Sequence, residues 1–232
     1  MNIWEAACGN HVETVREILD AGFDINARNA EGRTALHDSI EHGADAVTSL
    51  LLDRGAEVDI CAAAILGELD RVQELLDADP ELANDRTTGL SPLGWASFGN
   101  QCGTAALLID RGARMDDHEL ICAASVSHVE VGRLLIERGA DPNALCGNAG
   151  GGPLHAAVAM RYTCDSSEFI KMLLEHGADV GLRTPTGFTA RDLAEMGAKR
   201  QAGLSDEAKR QTFPREFAKV AALLKAAETL KG

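Results

Sequence analysis

Aromatic residues are scarce in this chain: two tryptophans, one tyrosine and six phenylalanines among 232 residues. A β-sandwich draws on aromatic and β-branched side chains for its strands. Here Ala and Leu supply most of the apolar content, which favours short, closely packed helices. Apolar residues still make up 45% of the chain, enough to bury a core. No apolar run approaches the roughly 20 residues that a membrane-spanning helix needs, so no membrane contact is expected. The opening stretch "MNIWEAACGNHVETV" has neither the basic nor the apolar region of a secretory signal. Dense Lys/Arg runs are missing too. The nearest, "AKRQAGLSDEAKRQTFPREFAK", is diluted with acids, and the chain carries a formal charge of −14 with a pI of about 4.9. A nucleic-acid binder needs a basic face to meet phosphates, so that class is set aside. Six cysteines show no CxxC pair and several lie in Ala-rich helical patterns. Reduced thiols in a cytoplasmic protein fit this usage.

What the chain does have is repetition. "LLDRGAEVD" (51–59) returns as "LIDRGARMD" (108–116), "LIERGADPN" (135–143) and "LLEHGADVG" (173–181), with a looser copy, "ILDAGFDIN", at 18–26. The marker glycines are Gly22, Gly55, Gly112, Gly139 and Gly177, and "LLDADPELAND" (75–85) supplies a further member with Asp79 in the glycine's place. A second phrase keeps the same beat: "GRTALHDSI" (32–40) recurs as "GLSPLGWAS" (89–97), "GGPLHAAV" (151–158) and "GFTARDLA" (187–194). Each copy precedes an Ala-rich stretch, a turn at Gly43, Gly67, Asn100 or Gly197, and a Leu-rich amphipathic segment. A glycine just past a helix closes its last turn in the left-handed conformation, and Asn100 can visit the same region. Thr34 and Ser91 stand where a hydroxyl caps a helix start.

In these residues the chain resembles the ankyrin repeat, a unit of about 33 residues with a β-turn and two helices. The resemblance implies an all-α repeat solenoid: helix–turn–helix units, each with a hairpin finger, in a curved stack with a concave groove. Seven units are expected in a single domain over 1–232, at about 1–26, 27–59, 60–84, 85–116, 117–143, 144–180 and 181–232, the last with a C-terminal capping helix. Each unit is apolar on two faces and hides them by stacking on its neighbours. The resemblance also gives His37 and His155 a structural role, bonding the turn's own backbone and the capping threonine. The same place in the fourth repeat is Gly94, so "GRTALH" reads as fastening rather than chemistry.

Departures from a repeat are where function can differ from scaffolding. The third and fifth repeats lack the turn phrase, which predicts a hairpin edge interrupted at both. The sixth repeat carries extra residues in "AMRYTCDSSEF" (159–169), including the only tyrosine, Tyr162. The seventh carries "MGAKRQAGLSDEAKRQTFPRE" (196–216), expected as an extra helix or lid. Arg191 replaces the leucine of its turn phrase, which puts its inner packing in question. Mapped by the family pattern, the groove-facing candidates for partner binding are Arg33, Glu41 and His42 in the second repeat. Leu90, Trp95 and Phe98 follow in the fourth, and Met160, Arg161 and Tyr162 in the sixth. "WASF" (95–98) reads as a sticky spot at the middle of the groove, where interface hot spots tend to lie. The alternative for Trp95 is that it fills the space left by Gly94 and by the missing finger next door. Trp4 is expected to cap the first face.

No GxSxG, HExxH or phosphate-binding loop with Lys-Ser/Thr occurs, and no catalytic residue, metal ligand or cofactor is assigned. Cys146, His155, Cys164 and Asp165 lie close in sequence, but their spacing matches no tight zinc site. The expected function is a monomeric, non-catalytic module that grips a partner protein, its acidity favouring a basic one. A second reading has the two insertions closing the groove into a pocket for a small molecule or a reaction, near Tyr162, His155 and Phe98.

Overall fold

A helix stops where the next residue can turn left-handed without a steric penalty, and the marker glycines do this. Gly22, Gly55, Gly112, Gly139 and Gly177 all have φ between 82° and 104°. The fold is seen in a computed structural model that describes residues 1–116, 118–145, 151–159, 165–203 and 216–231. It divides into two compact bodies, Met1–Arg114 and Met115–Gly232. In the N-terminal body four short inner helices alternate with outer ones. The inner layer holds α1 (Ile3–Cys8), α3 (Ala35–Glu41), α5 (Ile60–Leu66) and α7 (Pro92–Phe98). The outer layer holds α2 (Val12–Asp20), α4 (Asp45–Asp53), α6 (Leu69–Ala78) and α8 (Cys102–Asp110). The C-terminal body repeats the plan with inner α9 (His118–Val126), α11 (Pro153–Ala159) and α13 (Ala190–Ala202). Its outer helices are α10 (Val129–Glu137), α12 (Ser167–Glu175) and α14 (Phe217–Lys231). In each body an inner helix packs on the next inner helix and on its own outer partner. A strand-like bridge pairs Arg183 with Thr189.

Small side chains permit this spacing. In α5 ("ICAAAIL") every residue from Ile60 to Ile65 is buried. The outer helices are amphipathic instead: α2 fully buries only Val15 and packs Val12, Ile18 and Leu19 against the core from the side. Each fully buried Val, Leu or Ile contributes roughly 1.5–3 kcal/mol. Where the inner-to-outer turn lacks glycine, Asn10, Asn100 and Ser127 take φ of 54°, 57° and 59°, the left-handed turn expected of Asn100.

Polar bonds then join successive repeats. Asn26 Oδ1 accepts the Glu57 N–H at 2.8 Å, Asn84 Oδ1 that of Arg114 at 2.8 Å, and Asn143 Oδ1 that of Asp179 at 2.7 Å. The histidines of the turn phrase tie each turn to the boundary with the next repeat. His37 Nδ1 accepts the Thr34 N–H at 3.2 Å while Nε2 meets Asp59 Oδ1 at 3.1 Å. His155 Nδ1 accepts the Gly152 N–H at 3.1 Å while Nε2 reaches the Phe188 carbonyl at 3.2 Å. Both are buried to 1% exposure, and they fasten turns as the family pattern implies. Asp59 also caps α5, accepting from Cys61 N and Ala62 N, and receives Arg28 Nη2 at 2.9 Å. Burial alone would raise its pKa. The His37 bond and charge, the Ala62 N–H and Arg28 outweigh it and hold the carboxyl well below the ordinary range. Burial lowers the pKa of His155 and outweighs its bonds to the backbone.

Several expectations need correction. Asp79 is extended (φ −147°), not left-handed, and its carboxylate starts a 3₁₀ turn over Pro80–Asn84 by accepting the Glu81 N–H at 3.0 Å. Gly197 is not a turn but lies inside α13, where a Cβ would come within 2.7 Å of the Phe217 ring, so its role is the close approach of α14. Arg191 does not disturb packing: its guanidinium reaches Glu228 of α14 at 2.5 Å and Glu195 at 3.5 Å. The hairpin edge is not open at the third repeat. Gly32 (φ +76°) comes so close to the fourth repeat's turn that a Cβ there would lie 1.8 Å from the Thr87 carbonyl oxygen. The stretch 204–215 of the second insertion lies outside the described residues.

Both shifted groups make stability fall with acid, at different pH. An unfolded histidine takes up a proton near pH 6.5 that buried His155 resists, and an unfolded aspartate one near pH 3.9 that Asp59 resists. In each case the unfolded chain binds more protons, so stability drops as pH falls. Urea midpoints measured from pH 8 to pH 3 are expected to decline first below about pH 6.5 and again below about pH 4. His155→Gln should flatten the first decline and Asp59→Asn the second.

Candidate partner-binding surface

Helix α7 begins at Ser91, whose hydroxyl accepts the Gly94 N–H at 3.0 Å, with Pro92 at its first position. That start turns Trp95 inward, to 1% exposure, and leaves Phe98 half-buried at the helix end. The Trp95 indole N–H donates to the Thr88 hydroxyl at 2.8 Å, and that hydroxyl lies 3.4 Å from the Cys61 sulfur. Three rings or planes surround the indole. His37 lies at a centroid distance of 6.1 Å, Phe98 meets it edge-on at 6.4 Å, and the Arg33 guanidinium carbon stands 5.9 Å from its centroid. The Arg33 stack is a cation–π contact between the second and fourth repeats, across the shortened third.

Arg33 is itself clamped. Asp38 bonds it from one side and Glu41 at 2.6 Å from the other, and Trp4 of α1 donates its indole N–H to the Arg33 carbonyl at 3.2 Å. Burial works against its charge, but Glu41 and Asp38 outweigh it and raise the pKa of Arg33. Burial is the larger influence on Asp38 and raises its pKa against the pull of Arg33. Cys8 nearby is pushed up by burial and by Asp38. A cation between two carboxylates leaves one negative charge on this face. The exposed His42 ends α3, its Nδ1 2.9 Å from the Asp38 carbonyl.

The candidates therefore separate. Arg33, Glu41, His42, Leu90, Trp95 and Phe98 all belong to the N-terminal body, and five of them keep at least partial exposure. Trp95 does not: a fully buried ring offers no contact surface, so its part in a sticky spot is withdrawn. It fills the space beside the missing finger instead. Sequence reading missed Thr88 and Asp38 as its supports. The acidic Asp38, one turn after Thr34, was the available signal. Met160, Arg161 and Tyr162 lie outside the described residues. The pocket expected near His155 loses its titratable group, because both ring nitrogens are engaged with backbone. As a zinc ligand His155 fails on the same geometry. Asp165 is held by Lys219 at 2.6 Å, while Cys146 and Cys164 lie outside the described residues. Among the described residues no helix is long and apolar enough to cross a membrane.

Comparison with known proteins agrees with this architecture. Family profiles for ankyrin repeats match residues 3–61 and 60–146 (described as three copies) and 120–174 (many copies). The chain belongs to the ankyrin-repeat family. Ankyrin repeats generally mediate protein–protein interaction. The ankyrin repeat domain-containing protein SAT10 of Stachybotrys chartarum is 31% identical over 185 residues, covering 75% of this chain and 9% of that protein. A protein of Treponema pallidum named as ankyrin repeat-containing is 33% identical over 156 residues, covering 63% of this chain and 51% of that one. The chain thus spans about half or less of these relatives' own length. The crystal structure of the human ASB11 ankyrin repeat domain superposes with a TM-score of 0.54 at 21% identity, over 98% of this chain and 97% of that one.

The burial of Trp95 has a direct optical consequence. With Trp4→Phe, Trp95 becomes the sole tryptophan, and its emission should be blue-shifted and poorly quenched by acrylamide. Trp95→Ala should cost roughly 3–5 kcal/mol in urea unfolding. Quenching as efficient as that of free tryptophan would contradict the burial.

Proposed function

We propose that this protein is a non-catalytic interaction module that binds a partner protein through the inner-helix face of its N-terminal body. Phe98 and Leu90 provide the apolar contact, and Glu41 and His42 the polar rim. The observation that carries this reading is Phe98 itself, half-exposed at a helix end and braced edge-on against a buried tryptophan. A large aromatic held rigid before contact loses little entropy on binding, as interface anchors do. Arg33 is a strut in this account: clamped by Asp38 and Glu41, it supports the face rather than reaching out.

Charge supports a basic partner. Residues 1–114 hold 20 acidic and 8 basic residues, a balance of −12, whereas 115–232 hold 16 and 14, a balance of −2. The acidity is thus a property of the N-terminal body, and it would steer a cationic protein there and speed encounter. The protein acts as a monomer in the cytoplasm on this reading.

Affinity capture from a native lysate, wild type beside Phe98→Ala and Glu41→Gln, tests it. A partner held by wild type should bind Phe98→Ala at least about tenfold more weakly, the loss expected for a hot spot. Its association rate should fall as salt rises. A partner retained equally by a folded Phe98→Ala chain would contradict this surface.

A further inference from the structure

The third repeat has no finger, and something must occupy its place. Asp59 ends the second repeat and is at once the cap of α5, so no residues remain to build a turn. The fingers on either side meet at their tips, where Gly32 lies against the Thr87 carbonyl. Beneath that contact the missing finger leaves a notch of about 380 Å³. Leu75 and Leu82, both half-buried, form an apolar part of its lining, and Glu57, Asp59, Asp85 and Arg28 supply the charge.

Most of these polar groups are already committed. Arg28 donates to the Gly32 carbonyl at 2.6 Å and to Asp59. Asp59 serves His37 and the α5 cap. The Asp85 carboxylate accepts the Thr87 N–H at 3.0 Å and its hydroxyl at 2.8 Å, leaving lone pairs on both oxygens. Glu57 is exposed, and among the described residues only its backbone N–H is engaged, by Asn26. Three carboxylates face one guanidinium, inside the body that carries nearly all of the chain's net negative charge. Among the described residues no three His, Cys, Asp or Glu side chains converge as metal ligands would. An apolar lining beside an acidic rim suits a side chain with an aliphatic stem and a cationic head.

We propose that this notch takes an arginine or lysine side chain from a basic segment of a partner protein. The site is separate from the Phe98 face and stands or falls apart from it. It would anchor the segment that the acidic body attracts, turning a general attraction into a fixed register.

The test is an amide NMR titration of the full ¹⁵N-labelled chain with the probe acetyl-Gly-Arg-Gly-amide. The same titration is run with the isosteric, neutral citrulline peptide and on the Glu57→Lys chain. Saturable shifts centred on Glu57, Leu82 and Asp85 are expected, with the citrulline peptide failing to saturate. Glu57→Lys should weaken the arginine peptide at least fivefold. Because Glu57 is exposed and its side chain makes no bond among the described residues, that variant should melt at the wild-type temperature. Equal binding of the citrulline peptide, shifts centred on the outer helices, or undiminished binding to Glu57→Lys would each overturn the proposal.

Discussion

Several repeats in this chain complete their turns with a group from the repeat before. The N–H groups of Glu57, Arg114 and Asp179 are answered by Asn26, Asn84 and Asn143, each on the preceding repeat. The histidine of one turn phrase finds its outer partner at the boundary with the next repeat, Asp59 at the cap of α5 for His37 and the Phe188 carbonyl for His155. The Asn bonds lie at the surface, where water can substitute for them, but the two histidine rings are buried to 1% exposure. A buried polar group without a partner costs about 1–3 kcal/mol, and a repeat without its neighbour also leaves two apolar faces uncovered. Stacking removes both at once. This dependence is the reason helices as short as six residues persist here, well under the length at which a helix holds in water unaided.

The shortened third repeat tests that logic, since it removes a finger that the neighbours would otherwise lean on. The chain answers with a large ring. Trp95 stands next to Gly94, where the fourth repeat has lost its histidine; it bonds Thr88 within its own turn and stacks with Arg33 of the second repeat. The charge clamp of Asp38 and Glu41 then fixes Arg33. Scaffold and surface are linked through this ring, because the same indole that spans the short repeat braces Phe98. Asp59 is doubly constrained for a related reason: with no finger between them, the end of one repeat and the start of the next fall on a single residue.

Much of this was legible in the residues. The recurring Gly-Ala-Asp and Gly-x-Thr phrases mark helix ends and starts because glycine alone turns left-handed freely and a hydroxyl caps amide groups. They led to the repeat architecture and to the fastening roles of His37 and His155. Less local features were not legible. Gly197 looked like a turn because its neighbours are small and polar, yet it permits the approach of Phe217 from a distant helix. Asp79 stood in the glycine's register, but Pro80 just after it disfavours a helical turn there. Trp95 looked like an anchor because "WASF" gives no sign that Thr88 and Arg33 enclose it. The Asn bonds were visible as a recurring Asp-x-Asn at 24–26 and 141–143, and only their partners on the next repeat gave them meaning.

The central claim is that bonds at the repeat boundaries, above all the one from His37 to Asp59, which ends the second repeat and caps α5 of the third, carry the stack across its shortened member. A double-mutant cycle over His37→Ala and Asp59→Ala, read by urea unfolding at pH 7, tests it most directly. The two losses should fall short of additivity by at least about 1.5 kcal/mol, the scale of a hydrogen bond to a charged group. Losses that simply add would mean that His37 and Asp59 each serve only their own helix start, and the account would fail.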